Sequence, residues 1–378
     1  MMVLPKSKKQ RKKMTNYKRL GDYIQPVDER NTALEDLPLM GLSITKEFIP
    51  SIANTIGTDM STYRIIERNQ FAYGPVTSRN GNKITIALFD DYERALISQA
   101  YIPFKVKDTN KLNPEYLMMW FRRPEFDRYA RFKSHGSARE IFDWEEMCSV
   151  ELPVPPIEKQ REIVAEYNAV QKKIDLNNQL IQKLEETAQA IYKRWFVEGI
   201  DLEDLPEGWN FEKLERFTKM KYGKMLDSEL FLEKGYPVFS GYGIRGYCSE
   251  YMYEEPQILV LCRGVSGTGE VRLSPRFSFI TNLSIVMEVD NPSISKMYLY
   301  YYLKNSDLRS LDSGSAQSMI TTGDLYFQEA LIPPTELQIK FDKVANAIMN
   351  EIETKNLENQ KLSELKELLL SKLATIEN

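Results

Sequence analysis

The chain is poor in the residues from which most active sites are built. It has 378 residues and a single histidine, His135, which makes a Ser-His-Asp triad or a His-rich metal site an unpromising reading. Its three cysteines, Cys148, Cys248 and Cys262, form no CxxC pair and cannot build a disulfide framework. No apolar run approaches the ~18 residues of a membrane-spanning helix, and no apolar stretch follows the basic N-terminus. Cytoplasm is therefore the expected compartment, with no membrane partner. Charge of one sign is also missing: 50 Lys and Arg face 54 Asp and Glu. The exception is residues 1–19, with eight basic residues and no acid. Nucleic acid, if bound, must be met by local patches or beside a partner that supplies charge. An Asp/Asn-Pro-Pro-Tyr/Phe methyltransferase motif is absent, as is the G-K-[S/T] ending of a phosphate loop. Phe239-Ser240-Gly241-Tyr242-Gly243 and Gly264 to Gly269 imitate such loops without completing them.

What is present is a repeat. Gly136-Ser137-Ala138, Pro155-Pro156 and Glu158-Lys159-Gln160 recur as Gly314-Ser315-Ala316, Pro333-Pro334 and Glu336-Leu337-Gln338, all at an offset of 178. Upstream, Glu115 to Phe121 resembles Met297 to Leu303 at an offset of 182, so a small indel lies between the blocks. Each repeat opens with a mixed segment of short β-like runs. Ile84 to Phe89 follows the turn signal Asn80-Gly81, and Gln257 to Cys262 is a second such run. Each repeat then passes through Pro-Pro into a helix, because proline at a first helical turn costs no hydrogen bond.

The helices carry a 4-3-4-3 spacing. The first reads Ile163, Tyr167, Val170, Ile174, Asn177, Ile181, Leu184, Ala188, Ile191, Trp195. The second reads Phe341, Ala345, Ile348, Ile352, Lys355, Asn359, Leu362, Lys366, Leu369, Leu373, with Leu365, Leu368 and Leu370 expected to widen the stripe. Such seams need a partner, and each helix has the other, so the spacing predicts a coiled coil of about 40 residues and roughly 60 Å. Asn177 and Asn359 fall where a polar residue fixes register. The competing reading is two helices packed separately on their own domains. Antiparallel pairing would set two similar heads at opposite ends of a rod, suited to reading separated half-sites on duplex DNA.

With these residues in view, the chain resembles the DNA specificity (S) subunit of type I restriction-modification systems, over about residues 16–378. The resemblance rests on two variable domains, each closed by a Pro-Pro segment, and on Leu205-Pro206-Glu207-Gly208-Trp209 opening the second. Leu20-Gly21-Asp22-Tyr23 stands in that place in the first, and the basic tail departs from the pattern. The resemblance implies an α/β (α+β) fold with two tandem target-recognition domains separated by two long antiparallel coiled-coil helices. The expected limits are tail 1–19, domain 1 at 20–156, helix 157–198, linker 199–207, domain 2 at 208–334 and helix 335–378. It implies a non-catalytic subunit that binds a bipartite, asymmetric site on double-stranded DNA. Two modification (methyltransferase) subunits would pack around its helices, and restriction subunits would join for cleavage. S-adenosylmethionine and ATP with Mg are expected on those partners and no cofactor on this chain. The alternative is a two-headed scaffold that binds proteins.

Candidate DNA contacts are cations and amides near loops. In the first repeat they are the tip Arg79, Asn80, Lys83 and the stretch Arg131, Lys133, His135, Ser137, Arg139, preceded by Arg122, Arg123 and Arg128. In the second they are Lys221, Lys224, Arg245, Arg263, Ser315 and Gln317. A solvated helix face laced with ion pairs, or a purely structural glycine turn, would produce the same pattern. The aromatics Tyr298, Tyr300, Tyr301, Tyr302, Trp120 and Phe121 sit among leucines and are expected in the core.

Overall fold

The computed structural model describes residues 17–53, 56–78, 80–136, 140–264, 267–312 and 319–376. Two compact units divide the chain at Asn177/Asn178 and again at Leu357/Glu358. Each unit holds one mixed α/β domain and one segment of each of the two long helices.

In the first unit the strands are β1 (Tyr17–Arg19), β2 (Ile24–Pro26), β3 (Leu39–Leu42), β4 (Phe48–Pro50), β5 (Arg64–Glu67), β6 (Gln70–Tyr73), β7 (Ile86–Leu88), β8 (Arg94–Ile97) and β9 (Ile102–Val106). Helices α1 (Pro114–Arg122), α2 (Pro124–Lys133) and α3 (Trp144–Cys148) follow, then β10 (Glu151–Pro153) and the long α4 (Ile157–Phe196). Two four-stranded sheets form, in the orders β2-β9-β6-β7 and β4-β3-β8-β5. Strand β1 pairs with β10, so Tyr17 to Arg19 belong to the domain rather than to the basic tail.

The second unit repeats the plan with β11 (Asn210–Lys213), β12 (Thr218–Tyr222), β13 (Tyr236–Phe239), β14 (Ile244–Cys248), β15 (Ile258–Leu261), β16 (Val271–Leu273), β17 (Phe279–Ile280) and β18 (Ser284–Val289). It continues through α5 (Lys296–Asn305), α6 (Thr322–Tyr326), β19 (Glu329–Ile332) and the long α7 (Thr335–Lys372). Its sheets run β12-β18-β15-β16 and β14-β13-β17.

The repeated motifs have a shared physical role at the join of domain and helix. Gln160 is fully buried; its Oε1 accepts from the Asn113 amide at 2.8 Å and its Nε2 donates to the carbonyls of Lys111 and Pro155. Gln338 does the same, accepting from the Ser295 amide at 2.8 Å and donating to Ser293 and Pro333. Asn113 and Ser295 also cap α1 and α5, accepting from the amides of Tyr116 and Tyr298. Those two tyrosines are fully buried and donate to the carbonyls of Pro153 and Leu331. Burial drives both phenols far above the usual tyrosine range. Trp120, Phe121, Tyr300 and Tyr301 are core residues, and Tyr302 packs against the second core at partial burial.

One expected alignment shifts. The Leu20 amide donates to Val150, and the Leu214 amide donates to Gln328, the residue 178 further on. Tyr23 and Phe217 then close the same short turn onto Leu20 and Leu214. Leu20 to Tyr23 therefore matches Leu214 to Phe217, not Leu205 to Trp209. The matching positions of that opening motif, residues 11–15, lie outside the described residues.

All twenty seam positions are buried or half-buried, whereas almost every other residue between 165 and 187 is exposed. The seam closes inside each unit. In the first, the start of α4 meets the end of α7: the Asn177 amide donates to Asn359 at 2.9 Å, Lys173 pairs with Glu358 at 3.4 Å, and Lys366 donates to Gln171. In the second, Tyr192, Trp195 and Phe196 near the end of α4 pack on Phe341 near the start of α7. Start meeting end in both places makes the helices antiparallel. Leu370 joins the seam, but Leu365 and Leu368 are 40% and 49% exposed and do not widen it.

Candidate nucleic-acid interface

The candidate site is a pair of loops brought side by side, once in each unit. In the first, Val76 bridges Ile141, the Thr77 amide donates to the Glu140 carbonyl, and the Thr77 hydroxyl donates to Ser134 at 2.9 Å. His135 and Ile141 exchange two backbone bonds, at 3.0 and 2.9 Å, and so close the stretch that holds the Gly-Ser-Ala triplet. The Asn80–Lys83 tip and the Arg131–His135 stretch are thereby made neighbours. In the second unit Arg263 bridges Met319 and the Ile320 amide donates to Cys262. Met319 and Ile320 stand 178 beyond Ile141 and Phe142, whose amide donates to Pro75. Arg263 therefore occupies the place of Val76.

Predicted residues fare differently within this frame. Arg79, Ser137, Arg139, Ser315 and Gln317 lie outside the described residues. Asn80 donates to the Val76 carbonyl and shapes the tip, while Lys83 is exposed. Arg131, Lys133 and His135 are held by acids: Arg131 by Glu140, Lys133 by Glu146 at 3.3 Å, and His135 Nε2 lies 3.6 Å from Glu146. The ion-paired alternative is thus realised for Arg131 and Lys133, and these two cations must leave their acids to meet phosphate. Arg123 is 6% exposed over the Trp120 ring, and Arg122 lies over Tyr167. Lys221 pairs with Glu288 at 2.6 Å, and that bond, then one to Tyr253, holds its ammonium above the usual lysine range. It projects from the opposite face of β12 to Tyr222, the ring on which Arg263 stacks at 5.9 Å. Lys224, Arg245 and Arg263 are exposed, with no ion pair among the described residues.

Two supports escaped the sequence. Lys46 sits in a turn at φ +66° and sends its buried ammonium to the Phe121 carbonyl and to Asp127 at 2.9 Å. Burial pulls it below the usual lysine range despite the Asp127 bond. Asp127 also accepts from the Ile84 amide, which ties α2 to the base of the Asn80–Lys83 tip. The other is Arg309, exposed, with its backbone against Gly269 and five residues before Gly314, as Arg131 stands before Gly136. Counting back from Gly-Ser-Ala would have found it.

The family of type I restriction modification DNA specificity domains matches residues 7–186 and again 206–367. The chain belongs to that family. Among its relatives, the putative type I restriction enzyme MjaX specificity subunit of Methanocaldococcus jannaschii is 21% identical over 316 residues, 77% of this chain and 74% of that one. The EcoprrI specificity subunit of Escherichia coli is 28% identical over 158 residues, 39% of each chain. The S subunit structure from M. genitalium superposes with a TM-score of 0.59 at 16% identity, covering 96% of each chain, and so shares the fold. The specificity-family match falls once on each half of the repeat, and each half holds one of the two loop pairs.

Proposed function

We infer that this chain is the DNA-reading subunit of a type I restriction-modification complex, each unit reading one half of a bipartite, asymmetric duplex site. The observation that carries this reading is the duplicated loop pair, Val76 with Ile141 and Arg263 with Met319, set in domains of unlike surface residues. Two similar frames with different side chains suit two half-sites of different sequence. The chain itself does no bond chemistry in this reading. Two modification subunits and the restriction subunits would methylate adenine or cleave, bringing S-adenosylmethionine, ATP and Mg. No helix among the described residues is long and apolar enough to cross a membrane, and a cytoplasmic complex follows from this reading. A protein-binding scaffold is not favoured, because it gives no account of the exposed cations Lys83 and Arg263 beside the duplicated loop pair.

Single-molecule methylation mapping of host DNA, with the gene intact and deleted, tests the function. Deletion is expected to erase one bipartite adenine-methylated motif with a spacer of several base pairs. Identical maps would refute the reading for an expressed complex.

A further inference from the structure

Two glycine-rich stretches, Phe239 to Gly243 and Arg263 to Gly269, resemble cofactor loops in the sequence yet complete neither motif. In the second unit they are halves of one device. Tyr242, on the turn between β13 and β14, lays its ring on the second stretch and donates its hydroxyl to the Arg263 carbonyl at 2.9 Å. A Cβ at Gly264 would strike the Tyr242 hydroxyl, and one at Gly267 would lie 2.5 Å from its Cε1. Gly264 also has φ +121°, which a side chain rarely adopts. On the far side, a Cβ at Gly269 would lie 2.7 Å from the Arg309 amide nitrogen. Inside the stretch, the buried Thr268 hydroxyl donates to the Gly264 carbonyl at 2.7 Å. The glycines therefore admit a tyrosine ring on one side and the Leu308–Arg309 turn on the other. The turn under Tyr242 is itself fixed, since Ser240 bonds Gly243 and the Ser284 hydroxyl donates to the Ser240 carbonyl.

We propose that Tyr242 is a latch that sets the backbone of Arg263, and through it the contact of the second recognition domain with the DNA backbone. This rests on the DNA reading above. Tyr242 is a positioning residue: it holds the carbonyl of the residue that bears the cation, while Tyr222 steers the guanidinium from the other end. Tyr242 is 45% exposed, so the device sits at the surface, beside the exposed Arg263. The imitation of cofactor loops is a by-product of backbone that must let an aromatic ring approach.

The test is a double-mutant cycle on the full chain, using its affinity for a fluorescein-labelled mixed-sequence duplex over a range of salt. A mixed sequence isolates the phosphate term, which is the part Arg263 supplies. R263A is expected to weaken binding about fivefold and flatten the log–log salt slope by about one. Y242A should reproduce that loss, and Y242F, which removes only the hydroxyl, should give a smaller one. In the R263A background Y242A should add nothing, whereas K83A, in the other unit, should add its full effect. Full additivity of Y242A with R263A would overturn the latch, because Tyr242 would then be touching DNA itself. Unchanged affinity in Y242A would overturn it as well. If Y242A fails to fold, Y242F in the same cycle decides by the same criteria. A wild-type chain without duplex affinity would sink the DNA reading first, and the latch with it.

Discussion

Glu146 shows how single residues can hide a binding surface. Its carboxylate is held between Lys133 and His135, with a side chain 21% exposed. Lys133 and His135, at 36% and 69% exposure, keep their outer sides in solvent, so a duplex phosphate can compete with the half-buried Glu146 carboxylate for them. E146Q is expected to tighten DNA binding by roughly fivefold at low salt, with the gain fading as salt rises. Equal affinity for wild type and E146Q across salt would place Lys133 and His135 off the DNA. Gln160 and Gln338 act in the opposite sense, through satisfaction rather than charge. Replacing either by Leu strands the half-buried amide of Asn113 or Ser295 and the buried carbonyl of Pro155 or Pro333, at a cost of about 3 kcal/mol. Urea unfolding of Q338L should show that loss, and a midpoint indistinguishable from wild type would refute the plug.

Among the elements, the long helices set the terms. Their seam is mostly aliphatic, but Asn177 is 2% exposed and donates to Asn359 across it. A buried polar pair costs stability relative to leucines and, in coiled coils, selects register. N177L/N359L is therefore expected to unfold at higher denaturant while holding its register less tightly. A cross-link by a short bifunctional thiol reagent between cysteines placed at Lys173 and Glu358, whose side-chain ends meet as an ion pair in the native register, reports the register. A full cross-link yield in the leucine variant would show that the asparagines do not select it. The exposed Leu365 and Leu368 follow from geometry: their side chains leave the helix outside the narrow a/d stripe, and the partner helix cannot reach them.

For the whole molecule, duplication matters more than any single contact. Both units use one glutamine plug, one capped helix and one loop pair, while the residues displayed on the loops differ. The first unit shows Lys83 and acid-held cations, and the second shows Arg263 and Arg309 beside a tyrosine-held loop. A common frame with divergent display lets half-site preference change without disturbing the fold. The methylation map tests this directly, since an asymmetric bipartite motif is the expected outcome and a palindromic one would contradict it.

The repeat, the seam and the family resemblance were all legible in the sequence, because they are periodic. A heptad stripe or a recurring Pro-Pro…Gln needs only the order of residues to be seen, and burial follows from its spacing. That Asn177 and Asn359 each stand on a seam was legible for the same reason; that they face each other was not. What tertiary structure decided was pairing across long separations. Whether Arg131 meets solvent or Glu140, whether Arg123 lies over Trp120, and which glycine receives the Tyr242 ring depend on side chains converging from distant strands. The correspondence of Leu20 with Leu214 was likewise hidden, because it is fixed by which strand each residue pairs with and not by the residues beside it. Spacing along the chain sets which face of an element is apolar; only the packed fold sets which charge stands opposite which, since electrostatic partners are chosen by distance in space.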